Sequence, residues 1–427
     1  MAYDLDIRRG PVLSDGTALR DLIDFERREV AMRVLSDPEI HRLEQKRIFA
    51  RSWIGVAHVA EIPNPGDYVQ RHIGEDAVIV TRDRDGEVHI LLNACSHRGM
   101  QICWADKGNQ SSFKCPYHGW AFNSQGNLMG APFEREMYDG WDKSQYGLRK
   151  ARVGLHHGRI FGNFDDNAPP LDEWLGAATY YLDAPYRGEP DPEMEVCMPP
   201  RRFRVKANWK ISSDNNSGDV YHSLTLHRSV MELGIPMPPE RMILDAAIKA
   251  TCETMGHGIT AFPGNIMELD KPIDPALDDY IFNCMLFPAT FGSGGSGTRR
   301  HAVPGGGRAI ILAELGGLVP CGVNEFEIWS ATMIEKGAPE EVKAKLRSPA
   351  LLDLAGVDDM ESWPSMQKVA RGYIGQSQPM RYNAVQAGDT KPADWAGPGQ
   401  IYTGISKDDN QWNFWRRWYD LMSADEA

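Results

Sequence analysis

The pattern C-x-H-x17-C-x2-H, formed by Cys95, His97, Cys115 and His118, constrains this 427-residue chain more than any other feature of its sequence. Each half of the pattern offers one thiolate and one imidazole from a short stretch. A [2Fe-2S] centre with two thiolates on one iron and two imidazoles on the other needs its ligands delivered in that way, by two loops. Gly99 and Gly119 follow the histidines, where glycine lets the backbone turn tightly and bring N–H groups toward the sulfides. A zinc site is the competing reading. Zinc modules usually pair like ligands, whereas here Cys and His alternate, which favours the cluster. The other five cysteines, Cys103, Cys197, Cys252, Cys284 and Cys321, have no histidine at such spacing and read as small buried hydrophobes. Seven scattered thiols do not make a secreted disulfide framework, and a reducing compartment is expected.

A second constellation lies downstream. After Asn208-Trp209-Lys210 come Asp219, His222 and His227, spaced D-x2-H-x4-H. Non-haem Fe(II) oxygenases hold their metal with two histidines and one carboxylate on one face, leaving positions open for O2 and substrate. His222 and His227 supply the pair. Residues five apart on an ideal α-helix lie about 140° out of line, so a π-type turn or a helix end is expected between them. Asp219, three residues before His222, is expected on the same helical face, orienting that imidazole through its free N–H. The carboxylate ligand must come from elsewhere. The segment Val357-Asp358-Asp359-Met360-Glu361-Ser362-Trp363 offers two aspartates, the alternative for such a run being a solvated acidic turn.

Together the two constellations resemble those of the large (alpha) catalytic subunit of Rieske aromatic-ring-hydroxylating dioxygenases. The resemblance rests on Cys95 to Gly99, Cys115 to Trp120, the N-W-K segment with its D-x2-H-x4-H run, and the D-D-x-E-x-W segment at Asp358. It implies an α+β fold: an all-β Rieske [2Fe-2S] domain over residues 48–165, and a helix-grip catalytic domain built on an antiparallel sheet from residues 1–47 and 166–427. It implies that Cys95, His97, Cys115 and His118 bind the cluster, and that His222, His227 and Asp359 bind Fe(2+), with Asp358 the fallback. Asp219 would bridge to His118 of the partner subunit and carry the electron path. The implied assembly is a homotrimer of large subunits with a small beta subunit. Electrons would come from NAD(P)H through a separate reductase and ferredoxin, to cis-dihydroxylate a small aromatic substrate with O2. Respiratory Rieske proteins carry a further cysteine in each loop, joined in a disulfide. Met100 and Tyr117 occupy those places here, which implies the lower-potential oxygenase type. A Rieske monooxygenase or demethylase keeps both sites and stays open as an alternative, whereas a pure electron-transfer Rieske protein needs only the first motif. Hydrocarbon-oxidising members often have Phe where Asn216 stands, which implies a more polar pocket here.

The rest of the chain supports a protein of two domains. Asp37 before Pro38 reads as a helix cap. The runs Ala77 to Val80 and Val88 to Leu92, separated by Asp85-Gly86, read as a hairpin in a small antiparallel β domain. From about Asn167 a larger α+β domain is expected, with a strand at Ala309 to Ala313 and a helix from Pro339 to Leu346. Gly292 to Gly297 matches GxGxxG, but Thr298 to Pro304 cannot open a phosphate-holding helix, so a loop is expected and NADH is oxidised elsewhere. Trp412, Phe414, Trp415 and Trp418 predict a helix packed through an aromatic face. A net charge of −13 argues against nucleic acid. No apolar run approaches a membrane span and no targeting signal is seen, so the expected compartment is the cytoplasm.

Overall fold

The computed structural model describes residues 10–138, 140–183, 186, 191–227, 248–252, 255–263, 280–292, 298–302, 308–347, 357–382, 397–403 and 407–424. The chain divides into two compact units, Phe49–Leu171 and Met1–Ile48 with Asp172–Ala427. Its class is α+β.

In the smaller unit, β-branched runs broken by turns pair into a seven-stranded antiparallel sheet among the described residues. Its order is Ile54–His58, Arg159–Asn163, Lys150–His156, Val88–Leu92, Asp76–Arg82, Asp67–Ile73 and Lys107–Asn109. The hairpin around Gly86 is closed by Asp83, one oxygen of which accepts from Asp85 N and Glu87 N at 3.0 and 2.9 Å. Val78, Ile79 and Val80 on its first strand are fully buried. A second sheet of three strands, Leu128–Gly130, Ala121–Asn123 and Ser112–Lys114, carries the second cysteine loop between its last two members. The first cysteine loop is closed at its base by Asn93, which accepts from Ile102 N and Cys103 N and donates to Cys103 O at 2.7 Å. Trp53 Nε1 donates to Pro169 O at 2.9 Å and Arg152 Nη1 to Ala168 O at 2.6 Å. These bonds tie residues 166–171 to the smaller unit, where the sequence reading places them with the larger one.

In the larger unit, nine strands among the described residues form one antiparallel sheet. Its path runs Met194–Val205, Phe326–Glu335, Arg308–Pro320, Thr290–Gly292, Tyr280–Leu286, His257–Pro263, Ile248–Cys252 and Gln400–Thr403, with Thr298–Ala302 paired to Arg308–Pro320. The strand Thr298–Ala302 therefore follows the glycine-rich segment, of which residues 293–297 lie outside the described residues, at the place where the helix of a pyrophosphate site would have to open. The helix Asp409–Ser423 packs on the sheet, burying Trp412, Phe414, Trp415 and Trp418. Two asparagines bind it to sheet carbonyls: Asn410 Nδ2 to Ile259 O and Asn413 Nδ2 to Cys252 O, both at 3.0 Å.

The amino-terminal segment joins this core through the helix Pro38–Glu44, capped by Asp37 Oδ1, which accepts from Glu39 N at 2.8 Å. At the helix's far end Glu44 is wholly buried. Lys210 Nζ lies 2.7 Å from Glu44 Oε1, and both side chains are fully inaccessible. Trp418 Nε1 donates to the same oxygen at 2.8 Å and Trp209 Nε1 to Oε2 at 3.0 Å. Burial pushes the Lys210 ammonium down in pKa, and the Glu44 carboxylate pulls it back. One carboxylate thus joins three helices. Among the described residues, no helix is long and apolar enough to cross a membrane.

Candidate metal centres

The two cysteine loops close with the same backbone bonds. Cys95 N donates to Met100 O and Gly99 N to Cys95 O, both at 2.8 Å. Cys115 N donates to Trp120 O at 2.7 Å and Gly119 N to Cys115 O at 3.0 Å. Gly99 and Gly119 adopt φ of +75° and +74°, left-handed values that glycine takes without strain. At Gly119 a Cβ would also lie 2.8 Å from Pro132 Cγ.

Each loop presents a buried free cysteine and a histidine. The two imidazoles meet with ring centroids 4.7 Å apart. Burial pushes the Cys95 thiol up in pKa, and the neighbouring Cys115 sulfur acts in the same direction. Burial pushes the His97 imidazolium down, and His118 and Arg98 add to this. His97 Nδ1 is buried without a hydrogen-bond partner. Two paired thiols and a neutral imidazole with an orphaned nitrogen suit iron, which holds thiolates deprotonated and accepts an imidazole lone pair. The residues fit a [2Fe-2S] cluster. Cys103 is also buried, but its thiol donates to Ala105 O at 3.6 Å and has a structural place.

Trp120 has a role that sequence reasoning missed. Its ring stacks on His97 with centroids 4.8 Å apart and planes 9° from parallel, and its Nε1 donates to Tyr138 Oη at 3.2 Å. The tryptophan of the second loop therefore holds the histidine of the first. Its place directly after His118-Gly119 was the available signal.

The second centre begins at Asn208, whose side chain caps the helix Trp209–Asn216 by accepting from Lys210 N at 3.1 Å. The helix ends before Asp219. Gly218 takes φ of +148°, and a Cβ there would lie 2.9 Å from Asn410 Nδ2. The chain then resumes as a short 3-10 turn, Tyr221–Leu224, so His222 and His227 straddle a helix end and not a π-turn. Asp219 consequently shares no regular helical face with His222. It reaches the histidine by a bend, with Oδ1 3.4 Å from His222 N and Oδ2 3.5 Å from Nδ1.

The third residue arrives from the first turn of the helix Val357–Ala370. His222 Nε2 and His227 Nε2 face each other at 3.1 Å, and Asp359 places Oδ1 3.4 Å from the former and Oδ2 3.8 Å from the latter. Cis ligands about 2.1 Å from a six-coordinate metal lie about 3 Å from one another, so one ion suits all three. Asp359 is buried and its Oδ1 has no hydrogen-bond donor. Burial lowers the His222 pKa, but the carboxylates of Asp219 and Asp359 outweigh it and raise the pKa to about 10. The pocket is built to hold positive charge. Its donors fit a divalent iron, and Asp358 lies outside the set, toward the other nitrogen of His227.

Gln367, on the Asp359 helix, was also unforeseen. It accepts from Asn208 N at 2.8 Å and donates to Asn324 Oδ1 at 2.7 Å and Leu35 O at 3.1 Å. Trp363 on the same helix packs against Phe326. The helix bearing the carboxylate is thereby tied to the cap of the segment bearing the histidines. Asn216 spends its amide on its own helix, donating to Ser212 O at 2.9 Å.

Residues 52–145 match the family model of the Rieske [2Fe-2S] domain. The chain is 30% identical over 433 residues to the alpha subunit of benzene 1,2-dioxygenase from Pseudomonas putida, covering 95% of this chain and 94% of that one. It is 31% identical over 445 residues to the alpha subunit of N,N-dimethyl phenylurea N-demethylase from Sphingobium sp., covering 97% and 96%. Among solved structures, naphthalene 1,2-dioxygenase from Rhodococcus sp. bound to indole superposes with a TM-score of 0.80 at 32% identity, covering 93% of this chain and 95% of that one. With both donor sets in place and the likeness running over nearly its whole length, the chain belongs to the Rieske aromatic-ring-hydroxylating dioxygenases as a large (alpha) subunit.

Proposed function

We propose that this chain cis-dihydroxylates an aromatic ring with O2, as the catalytic subunit of a multicomponent oxygenase. The balance is arene, O2, NAD(P)H and a proton giving cis-dihydrodiol and NAD(P)+, with the nicotinamide oxidised on a separate reductase and the electrons passed through a ferredoxin. The observation that carries the reading is the convergence of His222 Nε2, His227 Nε2 and Asp359 within one chain that also holds the two cysteine loops. When bound, the [2Fe-2S] cluster supplies single electrons and the mononuclear iron a site for O2 beside the ring.

Cys95 and Cys115 would hold one cluster iron, and His97 and His118 the other. His222, His227 and Asp359 would occupy one face of the mononuclear metal and leave the remaining positions for O2 and substrate. Asp219 would orient His222 and, across a subunit boundary, accept a hydrogen bond from His118 of the partner subunit. Support for that boundary comes from the surface around the second loop, where Tyr117, Phe133 and Met137 are exposed and His118 is partly so. Such a surface suits contact with another subunit; the homotrimer, completed by a small beta subunit, is what the family resemblance implies.

The purified protein should be red-brown and hold about three irons per chain, two in the cluster and one mononuclear. Replacing Cys95, His97, Cys115 or His118 should abolish the reducible cluster signal in electron paramagnetic resonance. A colourless protein with stoichiometric zinc would refute this assignment.

Labelled O2 tests the reaction itself. Two labelled atoms in one product molecule are expected. One labelled atom, or release of formaldehyde, would place the enzyme with monooxygenases or with N-demethylases such as the Sphingobium relative.

A further inference from the structure

Adjacent residues on a helix project about 100° apart, so Asp358 and Asp359 leave the first turn of Val357–Ala370 in different directions. Both nevertheless reach His227. Asp359 Oδ2 lies 3.8 Å from its Nε2, and Asp358 Oδ2 lies 3.6 Å from its Nδ1. His222 repeats the arrangement, with Asp359 Oδ1 3.4 Å from Nε2 and Asp219 Oδ2 3.5 Å from Nδ1. Each imidazole faces the shared carboxylate with one nitrogen and a private carboxylate with the other. His227 is buried, and its Nδ1 has no hydrogen-bond partner at this separation.

We propose that Asp358 is the positioning residue of His227: its carboxylate accepts a hydrogen bond from Nδ1–H and so fixes the tautomer whose Nε2 lone pair is free for iron. The inference rests on the iron site proposed above. Its physical basis is general. A metal-binding histidine needs a partner on its second nitrogen to set tautomer, ring orientation and basicity. A contact of 3.6 Å is too long for a finished hydrogen bond, and a shift of well under 1 Å at either side chain completes it. The division of labour between the two private carboxylates follows. Asp219 serves His222 and the proposed route for electrons, whereas Asp358 serves His227 and lies off that route.

The test uses the full-length holoenzyme with Asp358→Asn and Asp358→Glu. Release of mononuclear Fe(II) to a colorimetric chelator should be about 10- to 100-fold faster in Asp358→Asn, and the ligand-field bands of the Co(II)-substituted site should shift. Asp358→Glu should restore most of both properties. After iron is resupplied, Asp358→Asn should still reoxidise its cluster in a single turnover, which Asp219→Asn should not. Unchanged iron release and unchanged Co(II) bands in Asp358→Asn would overturn the proposal. Equal losses in the Asn and Glu variants, accompanied by a lowered melting temperature, would also overturn it, because they mark a structural role. Iron retained in His222→Ala, His227→Ala and Asp359→Ala alike would refute the underlying iron site, and this inference with it.

Discussion

Replacing Asp219 with Asn is expected to lower steady-state turnover by about 100-fold in enzyme resupplied with mononuclear iron, the upper end of the range for removing a partner of a metal-bound histidine. The substitution keeps the shape of the side chain, and an amide oxygen can still accept from His222 N, 3.4 Å from the present carboxylate. What it removes is the charge beside His222 Nδ1, together with a symmetric acceptor able to serve two imidazoles at once. Stopped-flow absorbance separates the steps. Reduction of the cluster should proceed at the parent rate, and its reoxidation in the presence of substrate and O2 should stall. Normal single-turnover product in this variant would remove Asp219 from the electron path.

The largest stability effect is expected at Glu44, where Glu44→Gln should destabilise the larger unit by about 3–5 kcal/mol, the usual cost of leaving one member of a buried ion pair uncompensated. The variant strands the Lys210 ammonium, which is fully inaccessible. It also swaps an oxygen for an NH2 group where two indole N–H groups from Trp209 and Trp418 already point, so one donor must face another. Adding Lys210→Met should recover part of the loss, since replacing both charges can be close to neutral. Urea unfolding followed by tryptophan fluorescence reads both changes, with two of the reporting indoles bonded to the mutated side chain. A midpoint unchanged in Glu44→Gln would show that the pair is not held as a buried salt bridge.

These two sites differ in how far they could be read in advance. Cys95, His97, Cys115, His118, His222 and His227 were legible because metals accept few donor types and the spacing within each loop is short. Glu44 and Gln367 left no such mark. Their partners lie 165 and 159 residues away, at Trp209 and Asn208, and a buried Glu or Gln looks in sequence like any surface residue. The N-W-K segment was visible as a resemblance, and only its contacts explain it: Asn208 caps, Trp209 donates to Glu44 and Lys210 neutralises it. Asp219 was identified correctly as a neighbour of His222, but through a helical spacing that does not exist there. The break at Gly218 replaces the expected helical face with a bend, and which glycine interrupts a helix is decided by the close approach of Asn410.

The matched geometry of the two cysteine loops has a consequence for assembly. On the proposed assignment each loop would carry one ligand for each iron, so neither loop could complete the coordination of even one metal ion. A filled cluster is therefore a double cross-link between turns that lie on different sheets, the one closed by Asn93 and the one between Ser112–Lys114 and Ala121–Asn123. Loading becomes an all-or-none event tied to the docking of those sheets. The apolar faces of the two sheets meet independently of the cluster, Tyr68, Ile79 and Leu91 packing with Phe113, Phe122 and Leu128, so a cell short of iron or sulfide would accumulate a docked but empty domain and not one with a half-built cofactor.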